Sequence, residues 1–318
     1  MNTKTIFTIC LLLLVTMALQ AQDRGDRNNR TSSSTTKNYN QSYPEKEGMI
    51  RVKYITKWGF TDVSGKEVIP TIYDYAEDFS EGLAKVKKGN HFGFIDKNGN
   101  EVIPFKYEMV QSFSEGLASV KIDGFYGFID KSGKQVIPAE FFDAHPFSEG
   151  LALVRFKGKW GYIDKNGKTI IPPLFDEARS FSEGLANVRR SVLVTKPEFI
   201  DKTGKTVIET NYLDAKPFSE GLAGVQSYET RKWGFMDKQG KEVISLQYDD
   251  IGSFNEGLVA VGKKASFSTQ WGFIDKTGKE IIPVQFQGFV APVFINGKAK
   301  VTKDGREFYI DKTGKEVQ

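Results

Sequence analysis

The groups in this chain suited by type to acid–base, nucleophilic or metal chemistry are two histidines and two recurring sets of acids. His91 and His145 each stand alone, with no second histidine or cysteine nearby, whereas a metal site needs clustered ligands. There is no Gly-X-Ser-X-Gly elbow and no phosphate-cradling glycine loop. The acids are more suggestive. Asp62, Asp96, Asp130, Asp164, Asp201, Asp237, Asp275 and Asp311 form one column; Glu81, Glu115, Glu149, Glu183, Glu220 and Glu256 form another. Paired carboxylates can cut glycosides, and clustered ones can hold calcium. A catalytic pair is needed once, however, and these recur at turn positions, most of the aspartates followed by a lysine rather than by further acidic ligands. They read as turn residues, so no catalytic residue, metal site or cofactor is expected.

A second group is suited to recognition rather than catalysis. From the glutamate of each Glu-Gly pair to the start of the next Trp-Gly motif is 11 residues in the first four copies, then 14, 13 and 15, then 11 again from Asn296 to Glu307. The same hairpin is extended in three consecutive copies, and in a regular stack such insertions gather on one side. They carry Arg189, Arg190, Lys196, Arg231, Lys232, Lys263 and Lys264 against Glu229, with Tyr228 and Phe267 interleaved. The expectation is a basic, aromatic-bearing surface for an anionic partner; loop drift is the plainer alternative.

These residues are positioned by a repeat typified by Trp160-Gly161-Tyr162-Ile163-Asp164-Lys165-Asn166-Gly167-Lys168. Its turn glycine recurs at 65, 99, 133, 167, 204, 240, 278 and 314, which makes eight units. Each holds three apolar stretches rich in Val, Ile and aromatics and bounded by Gly or Pro: one after Glu-Gly, the Trp-Gly stretch, and one ending Val-Ile-Pro. That is a strand signature. Asp-Lys-X-Gly supplies a hairpin turn, because Asp bonds the backbone two residues on and Gly takes positive φ. Proline is expected to end the third strand. The fold class is therefore all-β, eight three-stranded antiparallel meanders stacked face to face, with each sheet covered by its neighbours. A β-propeller-like ring is favoured by the number of units and the small Gly-Leu-Ala residues. An open superhelical β-solenoid is the alternative, since the end units are atypical, with Thr61 for the usual Ile and Glu307-Phe308 for Trp-Gly.

The rest of the chain sets the compartment. Lys4 precedes a mostly apolar run from Ile6 to Leu19, the pattern of a secretory signal peptide over residues 1–21. Residues 22–46 are too polar to offset their ordering entropy and read as a disordered leader before the repeat domain of 47–318. Cys10 falls inside the signal, so the mature chain has no disulfide or thiolate site. The +4 net charge is spread along the chain and gives no concentrated basic face for nucleic acid.

The motifs Lys57-Trp58-Gly59-Phe60, Lys159-Trp160-Gly161-Tyr162, Lys232-Trp233-Gly234-Phe235 and Trp271-Gly272-Phe273-Ile274-Asp275, with Phe-Ser-Glu-Gly-Leu-Ala at 79–84, 113–118, 147–152, 181–186 and 218–223, resemble the bacterial WG-repeat (KWG) proteins. Units 2 and 3 depart with Phe92 and Tyr126, and unit 5 lacks the pair. The resemblance covers roughly 47–318. It implies a secreted or envelope-associated β-repeat protein and brings no catalytic residues. The expectation is an exported scaffold, periplasmic, outer-surface or secreted, with no membrane span after signal cleavage. It would bind a protein or glycan through its repeat surface and not nucleic acid. A propeller-type carbohydrate-active enzyme and a passive envelope component are the alternatives.

Overall fold

The computed structural model describes residues 37–191, 193, 196–266 and 268–317. The expected signal peptide, and the leader as far as residue 36, lie outside them. Every regular element described is a β-strand. In unit 1 the strands Gln41–Ser42, Met49–Tyr54, Lys57–Asp62 and Glu67–Tyr73 lie side by side in chain order, all antiparallel. Units 2, 4, 5 and 6 repeat this order. Unit 3 keeps its first strand only as a bridge between Val110 and Val120. Units 7 and 8 merge into one sheet through a single pair, Gln287 and Thr302.

The expected three strands are thus four in most units. The extra one arises because the chain, after the third apolar stretch, bends at a single residue such as Asp74 and at once pairs Tyr75–Ala76 with Val86 and Lys87. In units 4 and 6, Asp143–Ser148 and Asp214–Ser219, this strand is irregular at an internal proline. In units 2, 5 and 7 it is two residues long, too short to leave an alternating pattern. For the same reason the first sheet begins inside the segment expected to be leader: Gln41 and Ser42 pair with Lys53 and Val52, and Tyr43 packs its ring 5.6 Å from Trp58.

Proline does not end the third apolar stretch either. Pro70 lies inside Glu67–Tyr73, and the register slips between the pairs Phe60–Ile69 and Trp58–Tyr73. This strand is the sheet edge and is bulged there, so no ladder bond is asked of the missing N–H. The bulge also explains the glycine of Trp-Gly. A Cβ on Gly59 would stand 2.5 Å from the carbonyl oxygen of Ile69, and on Gly161 2.7 Å from that of Ile171. Close approach of the third-stretch backbone excludes any side chain. Unit 5 carries Glu198 there, and its last strand shrinks to Thr206–Glu209.

The core lies between units, not within them. Among the described residues there are seven buried clusters, and each draws on two consecutive units; Phe60 and Phe79, for example, share one with Ile95. Among the described residues no cluster and no strand pairing joins unit 8 to unit 1.

Candidate functional site

Each recurring acid has a structural partner. The Asp carboxylates accept the N–H groups two and four residues on, as Asp130 does from Ser132 (2.9 Å) and Lys134 (3.1 Å). The Ser132 hydroxyl, first, and then these N–H groups hold its carboxyl below the usual range. The Glu column crosses between units. Its members sit at positive φ, and each reaches the Glu-Gly turn of the following unit: Glu115 accepts the Gly150 N–H at 3.0 Å and pairs with Lys165 at 3.1 Å. The same clasp, a Gly N–H and the turn lysine, closes all seven joins, from Glu47 with Gly82 and Lys97 to Glu256 with Gly297 and Lys312. Seven aromatic pairs lie beside the clasps, with centroids 4.8 Å to 5.0 Å apart; Phe128 on Phe147 is one. These acids are the fastening of the stack.

The extended hairpins are partly neutralised from within. Arg189 donates to the Leu213 carbonyl at 2.7 Å and faces Glu177 at 3.6 Å. Arg190 pairs with Glu198 at 2.7 Å and lies over the Phe175 ring. Lys196 bonds Asn211, and Lys232 pairs with Asp249 at 2.6 Å. The last contact recurs as Lys57 with Asp74 and Lys159 with Asp176, so the lysine of Lys-Trp-Gly braces its own unit. Unit 3 replaces this ion pair by Phe125 against Phe142. Arg231, Lys263, Lys264 and Tyr228 remain exposed; Phe267 lies outside the described residues. Arg190 and Lys196 are exposed as well, so five of the seven cations and one aromatic stand at the surface of these hairpins, and among the described residues Arg231, Lys263 and Lys264 have no ion pair.

The position sequence reasoning missed is the seam between unit 8 and unit 1. Among the described residues, the clasp and the aromatic pair that fasten a join are not made there. The clasp glutamate becomes Asn296 and its lysine becomes Val63; Tyr309 holds the aromatic position but Glu45 stands where its partner phenylalanine would be, and Ile295 replaces the usual serine. The Gly48 N–H, which a clasp would take, is instead capped by Glu45 of its own unit. Between the two ends lies a cleft of about 1120 Å³ lined by Asn40–Pro44 on one side and by unit 7 and 8 residues, including Phe289, Val290, Lys300, Glu307 and Tyr309, on the other. Phe289 and Val290 are 85% and 81% exposed. Lys300 and Glu307 pair at 2.7 Å, which raises the Lys300 pKa. Glu307 is the sole acid among the described residues of the lining. A signal existed: the step from turn glycine to glutamate position is 16 residues at six joins but 18 from Gly278 to Asn296. The longer connection carries Phe289 and Val290.

A repeated fastening at every join, with both ends left unfastened, defines a tandem-repeat protein built of small stacked sheets. The family model for the WG containing repeat matches seven times, at 58–90, 92–124, 126–160, 160–190, 199–228, 233–264 and 271–306, and the chain belongs to that family. No curated protein sequence matches it. Among solved structures it is similar to the dihydro-heme d1 dehydrogenase NirN in complex with DHE, at 14% identity and a TM-score of 0.52, over 87% of this chain and 75% of that one. It is also similar to Kluyveromyces lactis Hsv2p, at 8% identity and a TM-score of 0.46, over 71% of this chain and 89% of that one. The fold is all-β and propeller-like.

Proposed function

We propose that this protein is an exported, non-enzymatic scaffold that binds a protein or glycan partner through the cleft between its end units. The observation that carries this reading is the seam. A surface that repeats a fastening seven times and omits all of its parts at one place leaves that place free for another molecule. Exposed apolar side chains gathered at a cleft mark interaction sites. A glycosidase needs two carboxylates in one pocket, and this lining holds Glu307 alone, engaged by Lys300. The test is capture from a cell-envelope extract by three forms of the protein. These are the native chain, Phe289→Ser with Val290→Ser, and Arg231→Glu with Lys263→Glu and Lys264→Glu. The expected result is a partner held by the first and third forms and lost by the second. Loss from the third alone would move the site to the extended hairpins, and capture by none would favour a passive structural role.

A further inference from the structure

Away from the cleft, the first four units share a feature that the last four lack. The residue facing the motif aromatic across the hairpin is a cation in each: Lys53 opposite Trp58, Lys87 opposite Phe92, Lys121 opposite Tyr126 and Arg155 opposite Trp160. Each cation lies over its ring, at 5.1, 5.4, 5.9 and 5.9 Å from the centroid. In unit 5 the same position holds Arg189, but Pro197 takes the place of the aromatic and the guanidinium faces Glu177 at 3.6 Å; in units 6–8 it holds Gln226, Gly262 and Thr302. Acids stand near two of the four, Asp74 near Lys87 and Asp143 across the ladder from Arg155, but among the described residues none of the four cations has an ion pair. All four are half-buried or exposed. Large aromatic surface lies beside them: Tyr54 next to Lys53, Tyr75 across from Lys87, and the Phe125–Phe142 pair of unit 3, with Phe142 58% exposed.

Identical placement in four stacked sheets makes a row with one cation per sheet. Stacked sheets stand about 10 Å apart, so the row offers one positive charge for roughly each 10 Å of a bound chain. A nucleic acid strand carries a phosphate about every 3.4 Å, and most of its charges would find no partner. A polysaccharide with one acidic group per disaccharide matches the sparser spacing, and its sugar rings have C–H faces that pack on the exposed aromatics. The ring beneath each cation fixes its position and lowers the entropy lost on contact. We propose that units 1–4 bind a linear acidic polysaccharide along Lys53, Lys87, Lys121 and Arg155, one acidic group to each cation. None of these four residues lines the cleft, so the proposal stands or falls apart from the partner proposed there.

The test is binding of the purified protein to hyaluronan, which has one carboxylate per disaccharide, with neutral dextran and single-stranded DNA in parallel. Two fourfold variants with equal loss of charge are compared. One is Lys53→Gln, Lys87→Gln, Lys121→Gln and Arg155→Gln. The other is Lys66→Gln, Lys134→Gln, Lys168→Gln and Lys241→Gln, at exposed positions on the opposite, turn end of the strands. The first variant is expected to lose at least tenfold in hyaluronan affinity and the second less than twofold. Equal loss by both would reduce the effect to net charge and overturn the proposal. So would unchanged binding by the first variant, equal binding of dextran by the native protein, or tighter binding of DNA. If the first variant does not fold, the doubles Lys53→Gln/Lys87→Gln and Lys121→Gln/Arg155→Gln carry the same comparison.

Discussion

The seven joins between units and the seam between the ends are the same surface in two chemical states. At a join, an aromatic pair sits inside a buried cluster, and a glutamate on the rim takes a backbone N–H and a lysine from the next unit. At the seam the corresponding residues are Tyr309, Glu45, Asn296 and Val63, and a cleft lies between the ends. The backbone repeat alone therefore does not make the stack cohere. A few side chains at each join do, and where they change, cohesion gives way to open surface.

Truncating an aromatic at a join should show this most strongly. Phe128 is fully buried against Phe147. Phe128→Ala is expected to cost about 3–5 kcal/mol in denaturant unfolding, and the loss should appear in both units it touches. Tyr309 holds the same motif position at the seam, where no aromatic partner stands opposite. Tyr309→Ala should cost well under half as much. Equal losses would mean that the phenyl pair is valued for packing inside its own unit, and the contrast between join and seam would fail.

The clasp ranks next. Glu115→Ala removes the acceptor of the Gly150 N–H and the partner of Lys165. The site is on the rim, so water replaces part of what is lost, and the expected cost is about 1 kcal/mol. Asn296→Ala, the seam equivalent, should be neutral within the error of the same measurement.

Acid should then separate the two surfaces without mutation. Burial of the Glu47 carboxyl works against its ionisation, but the N–H groups of Gly82 and Glu81 and the Lys97 ammonium outweigh it, and its pKa lies below the ordinary value. Glu256 is lowered in the same sense, Lys312 and the Gly297 N–H outweighing its burial. A carboxyl with a depressed folded pKa contributes stability that is fully present above its unfolded value, about 4.3 for Glu. That stability is lost as pH falls through the folded value. The first and last joins, held by Glu47 and Glu256, should therefore loosen as pH drops below about 4, while the seam has Asn296 in place of a clasp carboxylate. Hydrogen exchange between pH 5 and 3 would read it: protection at Gly82 and Gly297 should fall faster than at Met49, whose N–H is held by the Lys46 carbonyl and not by a carboxylate, after correction for intrinsic rates.

Much of this could be read from the residues before any coordinates, and the boundary of legibility has a physical cause. Trp-Gly, Asp-Lys-X-Gly and the alternating apolar stretches act locally, through the steric demand at Gly161 or the N–H groups around Asp164, so they leave a local pattern. The two-residue strand Tyr75–Ala76 is too short to leave one. Pro70 misled because its effect depends on whether the strand is an edge, which is a tertiary fact. Glu115 and Lys165 were both visible as members of columns, but pairing them requires knowing that each unit grips the next. The cationic hairpins looked stronger than they are because Glu177, Glu198 and Asp249, their partners, lie outside the insertions. The seam was legible in principle: Asn296 breaks the Glu column, Val63 the Lys column and Glu45 the Phe column.

Restoring those columns is the finest test. The variant Glu45→Phe/Val63→Lys/Asn296→Glu gives the seam the aromatic partner, the cation and the carboxylate of an ordinary join, and it frees the Gly48 N–H from its internal cap. If the cleft is held open by the shape of the stack, the new groups face water across it, and a solvated ion pair adds less than about 1 kcal/mol. Partner capture should then persist. A gain in stability like that of a true join, together with loss of the partner, would show that the two ends can meet and that only their side chains keep them apart. The seam would then be a closable site, opened by three residues in a repeat otherwise built to fasten.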